Sequence, residues 1–202
     1  MELPRIAAAA TATPAQRFTQ AELLAMAGYQ DDAPPRLLRG ERHRRPTPTS
    51  TARRFRPDES VDELSDRFRR GALELGEAAL RSALDRAGWR PEDVDFLATT
   101  TCTGRMTPSL DAHMVARLGC RRDVQRVHVG DTGCAAAVVA LAAGLQSHPG
   151  VPGHRALVLA VEICSAAYSS TTGWRARWPT PSSLTALGQL ALVGDGGGPG
   201  HR

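Results

Sequence analysis

An α/β fold with a mixed, mainly parallel sheet is predicted by three features of this 202-residue chain. Runs of apolar and β-branched residues at 94–101, 124–129 and 156–163 have the continuous hydrophobicity of strands covered on both faces. Between them lie helix-length segments at 109–118 and 135–146, the alternation that builds βαβ units. The segment from Ala135 to Leu145 offers Ala, Val, Leu or Gly on every face, which predicts a helix enclosed all round. One sheet covers only one side of such a helix, so a second layer, from the same fold or from a partner, is expected over the other.

Taken in order, residues 4–13 form a short apolar run ended by Pro14, read as a first strand, and Thr19 caps a short helix through Ala27. From Ala33 to Asp58 the chain is rich in Pro, Thr and Arg, with Arg36, Arg39, Arg42, Arg44, Arg45, Arg53, Arg54 and Arg56 nearly unopposed by acid, and reads as a loop. Leu64, Phe68, Leu73, Leu75, Leu80 and Leu84 recur at helical spacing among charged neighbours, predicting an amphipathic helix over 61–87, interrupted near Gly71 and stopped at Gly88. Pro91-Glu92-Asp93 is a turn, residues 165–183 are irregular, and residues 190–193 form a last strand ahead of Gly194-Asp195-Gly196.

Composition removes several function classes. The chain is 42% hydrophobic and 23% charged, ordinary globular values, and its longest apolar runs fall short of the roughly 20 residues that span a bilayer. Its first residues lack a basic segment followed by an apolar core, so a cytoplasmic address is expected. Cys102, Cys120, Cys134 and Cys164 form no CxxC pair, which argues for reduced thiols and against a metal site. The net charge is +4, every basic side chain apart from the six histidines is Arg, and Asn is absent. The 33–58 segment has only Phe55 for base stacking, so no nucleic-acid partner is expected.

Gly133-Cys134-Ala135 places a thiol at the start of the apolar helix, where unpaired N–H groups favour thiolate, the form that attacks acyl carbonyls. The same pattern fits a small buried hydrophobe. Glu162, alone in an apolar stretch, calls for a hydrogen-bonding partner.

Several short motifs carry a family resemblance: Arg5-Ile6-Ala7-Ala8, Leu75-Gly76-Glu77-Ala78-Ala79-Leu80, Val94-Asp95-Phe96-Leu97, Thr101-Cys102-Thr103-Gly104 and Thr107-Pro108-Ser109-Leu110-Asp111. Arg117-Leu118-Gly119, Asp123-Val124-Gln125-Arg126, Gly133-Cys134-Ala135, Val161-Glu162-Ile163-Cys164 and Gly194-Asp195-Gly196 follow in order. Together they make the chain resemble the type III polyketide synthases, the chalcone and stilbene synthase family, on the N-terminal half of a layered thiolase-like fold. The resemblance implies one chalcone/stilbene synthase N-terminal-like domain over 1–202, with 33–58 as an Arg/Pro-rich loop. It further implies that Cys134 accepts a starter acyl group from a CoA thioester and that malonyl-CoA extends it, with no cofactor.

The family's remaining catalytic groups, a His and an Asn, lie in a second half of about 150 residues that the chain is expected to lack. No Asn is present, and none of the six His residues stands in a matching context. The glycine-rich ending before Arg202 looks interrupted.

Cys102 and Thr103 match pocket-lining positions, Thr107 matches the residue that reaches into the partner's cavity of a homodimer, and Val193 stands where plant members carry a bulky Phe. Tyr168 is a further pocket candidate, and Arg39, Arg42 and Arg45 are candidates for the phosphates of CoA. Ordinary packing at strand ends and a solvated charge run are the bland counterparts of these assignments. Three readings follow: a type III condensing acyltransferase impaired by its missing half, a non-catalytic remnant or half-subunit that needs a complementing chain, or a ketoacyl synthase III-like enzyme.

Overall fold

The computed structural model describes residues 5–14, 60–147, 153–164 and 190–195, the last of these as backbone only. In chain order the elements are β1 (Arg5–Ala10), α1 (Val61–Ala87), β2 (Phe96–Thr100), α2 (Leu110–Leu118), β3 (Gln125–Val129), α3 (Ala136–Gln146), β4 (Arg155–Ala160) and β5 (Leu190–Asp195). They form one sheet in the order β1-β5-β4-β2-β3. β2 runs parallel to both β3 and β4, while β5 is antiparallel to β4 and β1, so the sheet is mixed as expected. The helix read at 19–27, the loop at 33–58 and the irregular stretch at 165–183 lie outside the described residues.

Sequence chemistry accounts for the boundaries. Ser60 and Glu63 form a reciprocal capping box at the start of α1: the Ser60 hydroxyl accepts from the Glu63 N–H at 3.2 Å, and the Glu63 carboxylate accepts from the Ser60 N–H at 2.8 Å. Gly88, left-handed at φ 69°, ends the helix where the sequence predicts. The expected interruption near Gly71 does not occur, and α1 is continuous. Gly71 is buried, and the tertiary packing of α1 outweighs the roughly 1 kcal/mol propensity cost of a mid-helix glycine.

Strand alternation sorts side chains between two layers. Leu97, Leu157 and Leu159, all fully buried, point to the face covered by α1 and α2, where they meet Phe68, Leu80, Leu110 and Met114. Phe96, Ala98, Ala156 and Val158 point to the opposite face and meet Ala140 of α3. Burying each large side chain contributes about 1.5–3 kcal/mol, so this sandwich holds most of the apolar stabilisation. Asp111 of α2 is buried and accepts hydrogen bonds from the Ser109 hydroxyl and from Arg126 of β3.

Burial pushes the Asp111 pKa up, but the Ser109 and Arg126 hydrogen bonds together outweigh it and hold the carboxyl below its usual range. A carboxyl depressed on folding stabilises the native state above its unfolded pKa of about 3.9 and loses that contribution as pH falls through the folded value. Asp111→Asn is therefore expected to flatten the dependence of stability on pH below about pH 5. Equal acid sensitivity of variant and parent in chemical unfolding would contradict this.

The helix expected to be enclosed is covered on one side only. Ala136, Ala140 and Gly144 form the buried face of α3, while Val138, Val139 and Leu145 are 70%, 45% and 41% exposed. Small residues bring the helix close: a Cβ at Gly144 would stand 2.9 Å from Val158 Cγ2. Gly144→Val is accordingly expected to cost about 1–3 kcal/mol, read as a lowered thermal midpoint, because the stiff, branched Val158 side chain must shift or α3 must lift off the sheet. Among the described residues no helix is long and apolar enough to cross a membrane.

Candidate active site

The C-terminal ends of the three parallel strands lie side by side, Thr100 being in register with Val129 on one flank and Ala160 on the other. The chain visits β3 on one side of β2 and β4 on the other, which opens a crevice beyond the strand ends, the usual ligand position in such sheets. A cavity of about 710 Å³ sits there, lined by residues 101–107 and by His128, Gly130, Asp131 and Gly133.

Each hydroxyl along the end of β2 has a partner. Thr99 Oγ1 lies 2.8 Å from His128 Nδ1, Thr100 Oγ1 donates to the Val129 carbonyl at 2.8 Å, and Thr103 Oγ1 accepts from the Ile163 N–H at 2.8 Å. These bonds hold the loop after β2 against both neighbouring strand ends. From the other side, α1 supplies a floor: a Cβ at Gly104 would lie 2.3 Å from the buried Phe68 ring, so the loop passes over that ring only because residue 104 is glycine.

Cys134 lies in the 3-10 turn Gly133–Ala135, one step before α3, and its side chain is exposed. In this structure the thiol is therefore not packed as a small buried hydrophobe. The turn is tight: Asp131 has φ 57° and Gly133 φ 67°, both left-handed, a conformation that suits glycine best and aspartate tolerably. Arg105 Nη2 donates to Asp131 Oδ1 at 2.6 Å across the cavity mouth. Both side chains of that pair are largely solvated, at 85% and 76% exposure, so it contributes little to stability.

Cys102 is brought to Cys134. Its N–H donates to Glu162 at 2.9 Å, with the second carboxylate oxygen at 3.2 Å, so the Glu162 carboxylate stands beside the Cys102 backbone, and both Glu162 and Cys134 act electrostatically on its thiol. Partial loss of water around the sulfur, then the Glu162 carboxylate, push the Cys102 thiol up to about 12. Glu162 thus finds the partner that its setting in the sequence demands.

Of the other expected positions, Thr103 and Thr107 line the cavity, Thr107 being exposed and joined to Pro108 by a cis peptide bond. Val193 falls in β5, its backbone in register with Leu157 and Ala8. Tyr168, Arg39, Arg42 and Arg45 lie outside the described residues. His128, Arg105 and Asp131 were not singled out from the sequence. The period-2 placement of His128 beside Arg126, facing α2, was the available signal for the first of these. Among the described residues no cluster of His, Cys, Asp and Glu is arranged to hold a metal ion.

The described residues thus present a mixed α/β sheet with an exposed thiol on a tight turn, ahead of an apolar helix and beside a crevice at parallel strand ends. Residues 53–173 match the family described as FAE1/Type III polyketide synthase-like protein, and the chain belongs to that family. It is 32% identical over 200 residues to a 3,5-dihydroxyphenylacetyl-CoA synthase of Streptomyces toyocaensis, covering 96% of this chain and 51% of that protein. Against a 1,3,6,8-tetrahydroxynaphthalene synthase of Streptomyces peucetius subsp. caesius the identity is 34%, covering 95% and 50%.

The type III polyketide synthase domain of Steely1 from Dictyostelium superposes with a TM-score of 0.80 at 20% identity, covering 99% of this chain and 57% of that one. For the tetrahydroxynaphthalene synthase of Streptomyces coelicolor A3(2) the values are 0.78, 24%, 96% and 57%. The chain spans about half the length of the relatives it matches. Family membership favours the polyketide synthase reading over the ketoacyl synthase III-like one.

Proposed function

We propose that this chain is the acyl-accepting N-terminal unit of a type III polyketide synthase. The observation that carries the reading is the exposed Cys134 thiol, on a left-handed turn beside the cavity at the strand ends. Its thiolate attacks the carbonyl carbon of an acyl-CoA. The carbon to CoA-sulfur bond breaks, CoA thiolate leaves and takes a proton from water, and the acyl group stays on Cys134 as a thioester. Malonyl-CoA would then lose carbon dioxide and its enolate attack that thioester. This step requires donors for the developing oxyanions, which the family resemblance assigns to a His and an Asn outside this chain's motifs.

The substrates are CoA thioesters, with Cys102, Thr103 and Thr107 along the acyl path and Tyr168 and Val193 as further pocket positions. Arg39, Arg42 and Arg45 are assigned to the CoA phosphates, where guanidinium groups make paired hydrogen bonds. No cofactor enters the scheme. Mass spectrometry of the chain after incubation with acetyl-CoA and malonyl-CoA tests it. An acyl increment on the Cys134 peptide with no extended product is expected. An unmodified Cys134, or a condensed product from this chain alone, overturns it.

A second reading, a half-subunit that works only with a complementing chain, is favoured by the exposed Val138, Val139 and Leu145 on α3 and by the absence of Asn. Sedimentation distinguishes the two: a monomer that does not bind a hydrophobic dye contradicts the half-subunit, and self-association supports a covered α3 face.

A further inference from the structure

His128 lines the cavity but has no part in the acyl loading step, and its ring is held from one side only. Nδ1 lies 2.8 Å from Thr99 Oγ1. The Cδ2–Nε2 edge runs past Gly130, another lining residue, where a Cβ would stand 3.8 Å from Cδ2 and 3.9 Å from Nε2. Among the described residues Nε2 has no hydrogen-bond partner.

The bond at Nδ1 fixes which nitrogen carries the hydrogen. Thr99 is fully buried and its hydroxyl reaches no other described side chain, so the hydroxyl proton has one acceptor, the Nδ1 lone pair. The opposite arrangement, with Nδ1–H donating to Oγ1, would strand the hydroxyl proton away from water, and an unmade buried donor is costly. A neutral imidazole whose Nδ1 accepts carries its hydrogen on Nε2. The other polar side chains of the lining are engaged or solvated: the Thr101 and Thr103 hydroxyls lie 3.4 Å apart, Arg105 is bound to Asp131 at 85% exposure, and Thr107 is exposed. The Nε2–H of part-buried His128 is thus a fixed donor at the cavity wall.

We propose that His128 is a specificity-determining residue whose Nε2–H donates to a carbonyl oxygen of the acyl group in the cavity, with Thr99 as the positioning residue that keeps the hydrogen on Nε2. This deepens, and rests on, the reading of Cys134, next to the lining residue Gly133, as acyl acceptor. An acyl chain with a second carbonyl beyond its thioester satisfies the donor. A plain alkyl chain shields the same N–H from water and leaves it unpaired, so the site discriminates against it. No bond to His128 forms or breaks.

Loading of Cys134 by acetoacetyl-CoA and by butyryl-CoA, acyl groups of equal chain length, tests the assignment when the second-order rates are followed by intact mass. The intrinsic reactivities of the two thioesters cancel when the ratio of their rates is compared between variant and parent. His128→Leu is expected to lower the acetoacetyl-to-butyryl ratio about tenfold, the contribution of roughly one hydrogen bond. Thr99→Val, which leaves the cavity lining unaltered, is expected to lower it in the same direction and serves alone if thermal unfolding shows that His128→Leu does not fold. Ratios equal to the parent's in both variants overturn the proposal, and a fall in His128→Leu alone overturns the part given to Thr99.

Nitrogen NMR of the His128 ring, assigned by its loss in His128→Leu, supplies a readout independent of Cys134. At about pH 8, above the range in which an ordinary imidazole titrates, hydrogen is expected on Nε2, and hydrogen on Nδ1 overturns the proposal. Failure of the parent to load either thioester overturns the acceptor reading instead. The ring resonances with each thioester added then decide the donor: a shift with acetoacetyl-CoA alone supports it, and equal shifts or none overturn it.

Discussion

Cys134→Ser is expected to lower acyl transfer from acetyl-CoA by more than about a thousandfold, a loss of at least about 4 kcal/mol of transition-state stabilisation. A serine hydroxyl at this position keeps the shape of the turn but ionises far less readily than a thiol, and the site offers it no assigned general base. The substitution should leave stability within about 0.5 kcal/mol, because the side chain is exposed and packs against little. The measurement is single-turnover acylation followed by intact mass, with thermal unfolding as the control. Undiminished loading in the serine variant would move the acceptor to another residue, with Cys102 the first to examine.

Phe68→Ala should be the most damaging single truncation near the site, costing about 3–5 kcal/mol in chemical unfolding. Phe68 is 2% exposed, belongs to the main core and forms the floor over which Gly104 passes. Its removal leaves a void between α1 and the loop after β2, which local collapse fills only by displacing that loop. Cys102 alkylation should therefore rise along with the loss of stability, whereas an equally deep core truncation away from the loop, Leu80→Ala, should lower stability alone. A cost below about 1 kcal/mol would show that the loop carries its own support.

The same two regions show how far the sequence could be read. β2, α2, β3 and β4 follow from hydrophobic period and length, and their observed bounds differ from the expected ones by a few residues at most. Ser60, Glu63 and Gly88 mark the ends of α1 in plain chemical terms. Gly71 misled because its local cost is visible in the sequence and the packing that offsets it is not. The apolar stretch at 135–145 was legible as a helix, yet its coverage was not, since hydrophobicity states what a face prefers and not whether a neighbour is supplied.

At the site, Cys134 announced itself through its glycine and the helix that follows, and Cys102 through the family resemblance. The partner of Cys102 is Glu162, sixty residues away, and such a contact is created by the alignment of β2 with β4 and not by local sequence. His128 was hidden for the same reason: it joins the cavity because β3 aligns it with Thr99.

The place of β5 in the sheet also governs how the chain can assemble during synthesis. Among the described residues β5 lies between β1 and β4, so the first strand has no partner strand there until residues 190–195 have left the ribosome. The helices and the β3-β2-β4 parallel unit draw on contacts closer in sequence and can form earlier, while the ladder between residues 5–10 and 190–195 closes a long loop and is slow for that reason. Throughout that interval the outer edge of β4 exposes unpaired N–H and C=O groups, and the nascent chain is open to strand exchange with its neighbours until β5 arrives to cover that edge.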